Sequence, residues 1–388
     1  MTDLGHPIDT IFARTLFDGV GDSPTHDQFI SIADGHIAEV RSRATGEAIP
    51  GGALKVNIVA PGFIDMQING AADAQFNEDA AVETLERMAA GARNGGTAHI
   101  LPTFITAPGR DYVKAIDATN QAIEAQVPGV LGIHLEGPFL SPDRPGIHPA
   151  QYIRPLNRED LHRIQNAMGT VLVTLAPECQ DHGLIRELVE SGVTVFIGHS
   201  NARADDIDKA IQVGVSGVTH LFNAQSQITA RDHGVVGSAL MQPSLFTGII
   251  ADGHHVHPQN LAMAAKWMPD RLCLVTDAMK TLAGTTTSFD LYGTPITLHD
   301  GRLTGPDGTL AGAHLSMDQA VRNAIAMMQV SLAQAIKMAS RNPARALGLS
   351  DALGAVKPGL RASLTMMDSK LHAAGVIVDG RAFINAQS

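Results

Sequence analysis

The sequence has few of the features that mark disulfide-stabilised or membrane proteins. Its 388 residues contain only two cysteines, Cys179 and Cys273, so neither a disulfide framework nor a cysteine-rich zinc module can form. This usage indicates a reducing, cytoplasmic setting. No apolar stretch approaches the roughly 20 residues of a membrane span, and the N-terminal residues show no signal-peptide pattern. We therefore expect no membrane partner.

Basic residues are also in deficit. The chain has 28 lysines and arginines against 39 aspartates and glutamates, a formal net charge of −11. This charge argues against a nucleic-acid or acidic-membrane partner, although a local basic pocket could still bind one phosphate group. Histidine, in contrast, is abundant. Several of the 17 histidines lie at the ends of predicted strands, and these positions matter most below.

The middle of the chain alternates between apolar runs and helical patterns. Eight strands are predicted, at 60–67, 97–104, 130–136, 171–177, 194–199, 217–221, 246–252 and 272–277. Helices are predicted at 80–93, 184–191, 204–213, 258–268, 315–328 and 332–347. The alternation favours an α/β fold, a (β/α)₈ TIM-like barrel. A doubly wound sheet is the alternative, but no GxGxxG motif follows the first strand.

Both ends of the chain differ from this middle. Residues 1–59 and 353–388 read as short alternating β-segments with turn signals, of which Asp34-Gly35 is a good hairpin signal. We expect the two termini to form one small β-sandwich domain. Residues 60–352 are then expected to form a metal-dependent catalytic barrel, with a loop region at 284–312.

Polar side chains end several of the predicted barrel strands. The set could supply one oxygen and two nitrogen ligands to a metal, from Glu136, His199 and His220. Three protein ligands with a fourth position left to water are typical of a catalytic zinc site. Any one of them alone is more simply a satisfied polar residue. At successive strand ends, which form the active-site face of a barrel, the three together predict a metal site. The ligand types leave zinc, iron, manganese and cobalt open.

Further polar residues lie near the same predicted face. Asp277 ends the apolar run LCLVTDAM, and we interpret it as a general base and then a general acid; a turn or helix-cap aspartate is the alternative. Arg231, in the loop TARDHGVVG, fits either an anion clamp or a plain surface arginine. His148 follows a Pro-Gly turn and could polarise a carbonyl group. Three closely spaced histidines cannot be assigned by spacing, and at most one or two of them are expected to matter: His254, His255 and His257.

Motifs along most of the chain resemble the amidohydrolase superfamily and, more narrowly, its N-acetylglucosamine-6-phosphate deacetylases. They include PGFIDMQING at 61–70, LPTFIT at 101–106, LEGPFL at 135–140, GHSNA at 198–202, THLFNA at 219–224 and VTDAM at 275–279. The resemblance implies hydrolysis of N-acetylglucosamine 6-phosphate to glucosamine 6-phosphate and acetate, by a metal-activated water and an aspartate base. It also implies a homodimer, or a dimer-based tetramer, that binds an amino sugar phosphate.

The resemblance carries roles to individual positions. The metal ligands, with Gln67 nearby, match Glu136, His199 and His220. The acid/base matches Asp277, and the carbonyl-polarising histidine matches His148. Substrate-binding positions match Ile147, His148, Asn223, Ala224, Arg231, Asp252, Gly253, His254, His255, Leu310, Ala311 and Gly312. Among these, Arg231 and His255 match the phosphate contacts.

Some positions depart from the family pattern. Many amidohydrolases carry His-x-His after the first strand, where this chain has Gln67 and Asn69. Amides are poor ligands for a second metal, so we predict one divalent ion per subunit, with zinc favoured. Segments 225–230 and 280–287, beside the sugar, also depart. The alternative substrate is therefore another N-acyl amino sugar phosphate, such as N-acetylgalactosamine 6-phosphate, or an N-acyl amino acid. A non-catalytic binding protein would be expected to lose the ligands that this chain keeps.

Overall fold

A barrel of eight parallel strands forms the centre of the computed structural model, which describes residues 5–385. The strands, β1–β8, are Phe63–Ile68, Thr97–Ile105, Gly132–Glu136, Thr170–Leu175, Thr194–Ile197, Gly217–Val218, Phe246–Ile250 and Leu272–Val275. A parallel bridge between Ile68 and Ala278 joins the segment after β8 to β1. All eight predicted strands are therefore confirmed, with differences of a few residues at their ends.

Helices lie between and after the barrel strands. Within residues 5–385 the α-helices, α1–α10, are Val82–Asn94, Tyr112–Glu124, Arg158–Ile164, His182–Glu190, Ala204–Gln212, Gly234–Met241, Pro258–Trp267, Met317–Asn323, Leu332–Ala339 and Arg341–Ala346. Short 3₁₀ helices occur at Ala150–Tyr152 and Pro177–Cys179, and a π-helix at Ala324–Met328. The helices cover the barrel, which explains why its strands are buried and their sequences are nearly continuously apolar. None of the described helices is long and apolar enough to cross a membrane.

The two ends of the chain build one further sheet. Its strands are His6–Pro7, Thr10–Leu16, Thr25–Ala33, His36–Ser42, Leu54–Pro61, Leu364–Met367, Ala373–Val378 and Arg381–Ile384. Leu54–Pro61 pairs antiparallel with Leu364–Met367, which joins the N-terminal strands to the C-terminal ones. Asp34 and Gly35 have φ values of 49° and 74°, as the predicted two-residue hairpin turn requires.

The predicted fold class, a barrel with a small β-domain from both termini, is thus confirmed. The exact boundaries at 59/60 and 352/353 stay a prediction, and residues 1–4 and 386–388 lie outside the described residues.

Residues 284–312, expected to be a loop region, instead contain most of a four-stranded antiparallel sheet. Its strands are Ser288–Leu291, Thr294–His299, Arg302–Thr304 and Leu310–Ala313. Each strand is only three to six residues long, so the alternation of buried and exposed side chains is too brief to stand out in sequence. Phe289, Leu291 and Leu303 belong to an apolar cluster that includes Ile105 and Met279 at the barrel mouth. The sheet therefore forms one wall of that mouth.

A buried carboxylate anchors the long connection between β3 and α3. Asp160 is fully buried and accepts hydrogen bonds from Arg154 (2.5 and 2.8 Å), Arg110 (3.0 Å) and Tyr112 (2.7 Å). Burial raises the pKa of Asp160, but the hydrogen bonds from Arg154 and Tyr112 hold that pKa below its ordinary value. The backbone N–H of Arg154 also donates to the Pro138 carbonyl at 3.0 Å. The network thus closes a connection that carries several predicted site residues.

We expect Asp160→Ala to lower the free energy of unfolding by about 3 kcal/mol, because it removes one partner of a buried ion pair. The low end of the usual range applies because both guanidinium groups keep some contact with solvent. Urea denaturation followed by circular dichroism measures the change. Asp208→Ala, at an exposed position of α5, is the matched control and should change stability by less than about 0.5 kcal/mol. Equal effects of the two substitutions would contradict the anchoring role.

Candidate active site

Three side chains from different strand ends meet at the C-terminal mouth of the barrel. Glu136 ends β3, and His199 and His220 follow β5 and β6. The Nε2 atoms of His199 and His220 lie 3.2 and 2.9 Å from Glu136 Oε1 and 3.1 Å from each other, and all three side chains are buried. Ligands bound tetrahedrally at about 2.0–2.1 Å are about 3.3 Å apart, so this spacing fits one ion. The cluster could therefore hold a divalent metal.

The second ring nitrogen of His199 supports this role. His199 Nδ1 lies 3.0 Å from the backbone carbonyl oxygen of Arg144. A carbonyl oxygen can only accept a hydrogen bond, so Nδ1 carries the proton. In the neutral ring, the lone pair is then on Nε2, directed into the cluster. Such a bond from the outer nitrogen is what orients most metal-binding histidines.

Two amides from the end of β1 hold the carboxylates at the mouth. Gln67 Nε2 donates to both oxygens of Glu136 at 3.2 and 3.3 Å and to Asp277 Oδ1 at 3.2 Å. Asn69 Nδ2 donates to the same Asp277 oxygen at 2.7 Å. Each amide nitrogen is thus occupied by carboxylates, and each amide leaves only a neutral oxygen, a weaker ligand than a carboxylate or an imidazole. Gln67 and Asn69 therefore act here as orienting groups, which favours one ion over two.

The two carboxylates of the site differ in their proton affinity. Burial, and then the nearby Glu136 charge, raise the pKa of Asp277 to about 6. Burial raises the pKa of Glu136, but the neighbouring His199 and His220 hold that pKa well below its ordinary value. Carboxylates whose pKa values are separated in this way typically divide the work of an active site. Glu136 stays ionised as a ligand would, whereas Asp277 can exchange a proton near neutral pH.

The backbone is strained at three of these positions. His199, His220 and Asp277 have φ values of 47°, 30° and 50°, in the left-handed region that residues other than glycine rarely adopt. Each lies two residues beyond the last residue of its strand. Strained residues of this kind concentrate at functional sites, where the surrounding structure holds them. The shared turn directs three side chains from separate strands into one mouth.

His148 lies beside the cluster of Glu136, His199 and His220, on the connection that follows β3. It is buried, and its ring centroid is 4.3 Å from that of His199. Burial, and then the neighbouring His199, hold the pKa of His148 well below its ordinary value. His148 is therefore a neutral imidazole near neutral pH, which can donate one ring N–H to a carbonyl oxygen.

A cavity of about 550 Å³ opens at the cluster. Most residues predicted to bind metal or substrate line it: Glu136, Ile147, His148, His199, His220, Asn223, Ala224, His255, Asp277, Leu310 and Gly312. Sequence reasoning assigned no role at the pocket to several other lining residues, among them Ile105, Asp143, Arg144, Ile250, Met279 and Thr309. Ile105 and Met279 lie within motifs quoted above, and that position is the signal that could have located these two residues.

Some predicted substrate residues lie behind or outside this lining. Asp252 accepts a hydrogen bond from His255 Nδ1 at 2.6 Å and from two backbone N–H groups of its own loop. It therefore orients His255, which does reach the pocket. Gly253 forms the turn between them with a φ of 76°, and His254 is exposed. Ala311 is buried in the apolar cluster of the small sheet. Direct substrate contacts by these four residues stay a prediction.

Arg231 is also placed away from the pocket of its own chain. It is exposed on the loop between β6 and α6, and within residues 5–385 it takes part in no ion pair. Among the described lining residues, Arg144 is the only lysine or arginine. A single copy of the chain therefore does not bring the predicted anion clamp to the site.

Comparison with known protein families accords with this geometry. The model of the amidohydrolase family matches residues 58–383. The chain belongs to the amidohydrolase family. The match covers the whole barrel, the small sheet at its mouth and the C-terminal strands of the terminal sheet.

Curated relatives and solved structures narrow the comparison. The N-acetylgalactosamine-6-phosphate deacetylase of Shewanella sp. (strain ANA-3) is 37% identical over 365 residues, 92% of each chain. The N-acetylglucosamine-6-phosphate deacetylase of Haemophilus influenzae is 35% identical, over 84% of this chain and 87% of the relative. The crystal structure of N-acetylglucosamine-6-phosphate deacetylase from Pasteurella multocida has a TM-score of 0.91 at 32% identity, over 97% of this chain and 100% of that one. The chain is thus similar along most of its length to deacetylases of two different amino sugar phosphates.

We expect the metal-loaded protein to contain about one divalent ion per chain. The His199→Ala and His220→Ala variants should each lose most of this metal, because two ligands hold an ion far more weakly than three. Inductively coupled plasma mass spectrometry on dialysed protein measures the content. His162→Ala, at an exposed position of α3, is the control and should keep the ion. Full metal content in both site variants would show that the ion binds elsewhere.

Proposed function

We propose that this chain is a metal-dependent deacetylase that hydrolyses N-acetylglucosamine 6-phosphate to glucosamine 6-phosphate and acetate. The observation that carries the proposal is the buried cluster of Glu136, His199 and His220 with Asp277 held beside it in one pocket. The similarity to deacetylases of amino sugar 6-phosphates supports the substrate class.

Glu136, His199 and His220 would hold the ion. A bound divalent metal supplies Lewis acidity, which polarises a carbonyl group and lowers the pKa of water. Zinc suits one carboxylate and two imidazole ligands, and iron, manganese and cobalt accept the same set. We propose one ion per subunit, because Gln67 and Asn69 offer only neutral amide oxygens where a second ion would need stronger ligands.

Asp277 would carry the proton through the reaction. Its carboxylate accepts a proton from the attacking water as the water oxygen bonds to the acetyl carbon. The same proton is then delivered to the amide nitrogen as the carbon–nitrogen bond breaks, which releases acetate and the free amine. The amides of Gln67 and Asn69 aim the carboxylate and leave it only one oxygen without these bonds. A pKa near 6 suits a group that must both take and return a proton.

His148 would stabilise the oxygen of the acetyl carbonyl. The ring is buried, neutral and next to the metal cluster. A preorganised N–H donor aimed at the oxygen on which charge develops is worth about 10²–10³ in rate in well-studied enzymes. Ile147 and the small sheet supply the apolar wall beside it.

The phosphate site is proposed to need a second copy of the chain. His255 reaches the pocket and is held by Asp252, whereas Arg231 is exposed and unpaired within the described residues. Ile228, in the same loop, and Met241, at the end of α6, are large apolar side chains that are 54% and 65% exposed. A homodimer, or a tetramer built from dimers, would cover these side chains and bring Arg231 to its neighbour's pocket. A cytoplasmic location, as expected for a chain with two free cysteines, belongs to the same proposal.

N-acetylgalactosamine 6-phosphate is a second candidate substrate. A deacetylase of that sugar is 37% identical to this chain over 92% of its length, and the two sugars differ only in the configuration of one hydroxyl group. Segments 225–230 and 280–287, which depart from the family pattern, are where we would look for that distinction.

Asp277→Asn should lower kcat by about 10²–10⁴, because the amide cannot accept the proton, while metal content stays unchanged. Acetate release and bound metal are measured on the same sample. The control is Asp208→Asn, at an exposed position of α5, which should keep full activity. Asp232→Asn would be a poor control, because Asp232 lies beside Arg231. Turnover close to that of the unchanged protein would rule out Asp277 as the base.

Arg231→Ala should raise KM for N-acetylglucosamine 6-phosphate by about tenfold to a hundredfold, because a charge-assisted hydrogen bond is worth about 1.5–3 kcal/mol. KM for the unphosphorylated sugar should hardly change. The assay compares both sugars with their galacto counterparts. Equal turnover of phosphorylated and unphosphorylated sugars by the unchanged protein would contradict the phosphate site, and preferential release from the galacto phosphate would select the second candidate.

A further inference from the structure

Thr106, just beyond β2, contacts the outer nitrogen of His148. The Thr106 hydroxyl oxygen lies 2.9 Å from His148 Nδ1, and the Thr106 backbone N–H donates to the same nitrogen over 3.4 Å. Both residues are buried, with 1% and 5% of their surface exposed. A backbone N–H can only donate, so Nδ1 is an acceptor and carries no proton. The single proton of the ring must then be on Nε2.

We propose that Thr106 is a positioning residue that fixes His148 as the neutral Nε2–H tautomer and so presents an N–H donor to the reacting carbonyl oxygen. The consequence for catalysis rests on the deacetylase function proposed above. The assignment of the tautomer rests on the Thr106 contacts alone and stands apart from that function.

The packing around Thr106 leaves its hydroxyl little freedom. A Cβ atom added to Gly137 would collide with the Thr106 hydroxyl oxygen, and Gly137 has a φ of 87°. The LEGPFL motif therefore needs glycine at this position for two reasons, its backbone conformation and the space that it leaves. Between Gly137 and His148, the hydroxyl is held against Nδ1.

The comparison with His199 shows what the contact achieves. The two rings are neighbours, with centroids 4.3 Å apart, yet their outer nitrogens meet opposite partners. His199 Nδ1 donates to a carbonyl, which leaves a lone pair on Nε2 for a metal. His148 Nδ1 accepts from Thr106, which leaves a proton on Nε2. Backbone groups therefore give two adjacent histidines different roles: His199 can be a metal ligand, and His148 can be a hydrogen-bond donor. His148 can serve as neither ligand nor base through Nε2.

The kinetic test compares Thr106→Val, which removes the hydroxyl and keeps the shape, with Thr106→Ser, which keeps the hydroxyl. We expect Thr106→Val to lower kcat by about fivefold and to leave KM unchanged. The substitution weakens a hydrogen-bond donor that acts on the transition state, and it leaves substrate binding intact. Thr106→Ser should restore most of the rate. Thr119→Val removes a buried hydroxyl of α2 that donates to the Ala115 carbonyl, and it controls for loss of a buried hydrogen bond. Equal kcat for Thr106→Val and the unchanged protein, or an effect on KM alone, would overturn the positioning role.

Neutron diffraction from deuterium-exchanged crystals of the metal-loaded protein tests the tautomer without any assay. A deuteron on His148 Nε2 and none on Nδ1 is the expected result, together with a deuteron on His199 Nδ1. A deuteron on His148 Nδ1 would overturn the proposal. If no amino sugar phosphate is deacetylated but the His148 deuteron is on Nε2, the proposed function fails while the tautomer assignment stands.

Discussion

The carboxylate of Glu136 is the group on which both the barrel mouth and the site depend. A buried carboxylate without partners is strongly unfavourable, so its surroundings must supply hydrogen bonds or a cation. Here three strand ends supply them, through His199, His220 and Gln67. Gln67 also links this carboxylate to the other side of the barrel. Its side chain donates to Asp277, and its backbone carbonyl accepts the Asp277 N–H at 2.8 Å where the barrel closes. Closure of the fold and assembly of the site therefore use the same residues.

The surrounding residues give each polar group of the mouth one chemical role. Opposite partners at the outer nitrogens separate His199 from His148, and burial together with charge separates Asp277 from Glu136. Few of these partners are themselves reactive. The groups that orient His199, His148 and Asp277 are backbone groups, a threonine hydroxyl and two amides, none of which titrates near neutral pH. This is a robust way to hold acid, base, ligand and donor within one pocket of about 550 Å³.

Much of the fold and the centre of the site could be predicted from sequence, because the signals are local. Long apolar runs that end in Glu136, His199, His220 or Asp277 predict buried strands with a polar residue at the C-terminal end. In a parallel barrel these C-terminal ends lie on one face. The hairpin at Asp34-Gly35 was equally visible, since only a tight turn explains that pair between alternating runs.

Other features depend on contacts between distant residues and could not be predicted. The strands of the small sheet at the barrel mouth are too short for their alternation to be significant, and what stabilises them is an apolar cluster with Ile105 and Met279. Asp252 belongs to the expected loop, but only the folded chain shows that it holds His255. The exposed position of Arg231 was also hidden, because a sequence motif does not reveal whether a side chain serves its own pocket or a neighbour's.

Anomalous diffraction from crystals of the metal-loaded protein is the most direct test of the central claim, that one ion binds where Glu136, His199 and His220 meet. One strong peak about 2.0–2.1 Å from both Nε2 atoms and from a Glu136 oxygen, with none against Gln67 or Asn69, is the predicted result. A peak outside this cluster, or two ions bridged across the barrel mouth, would contradict it.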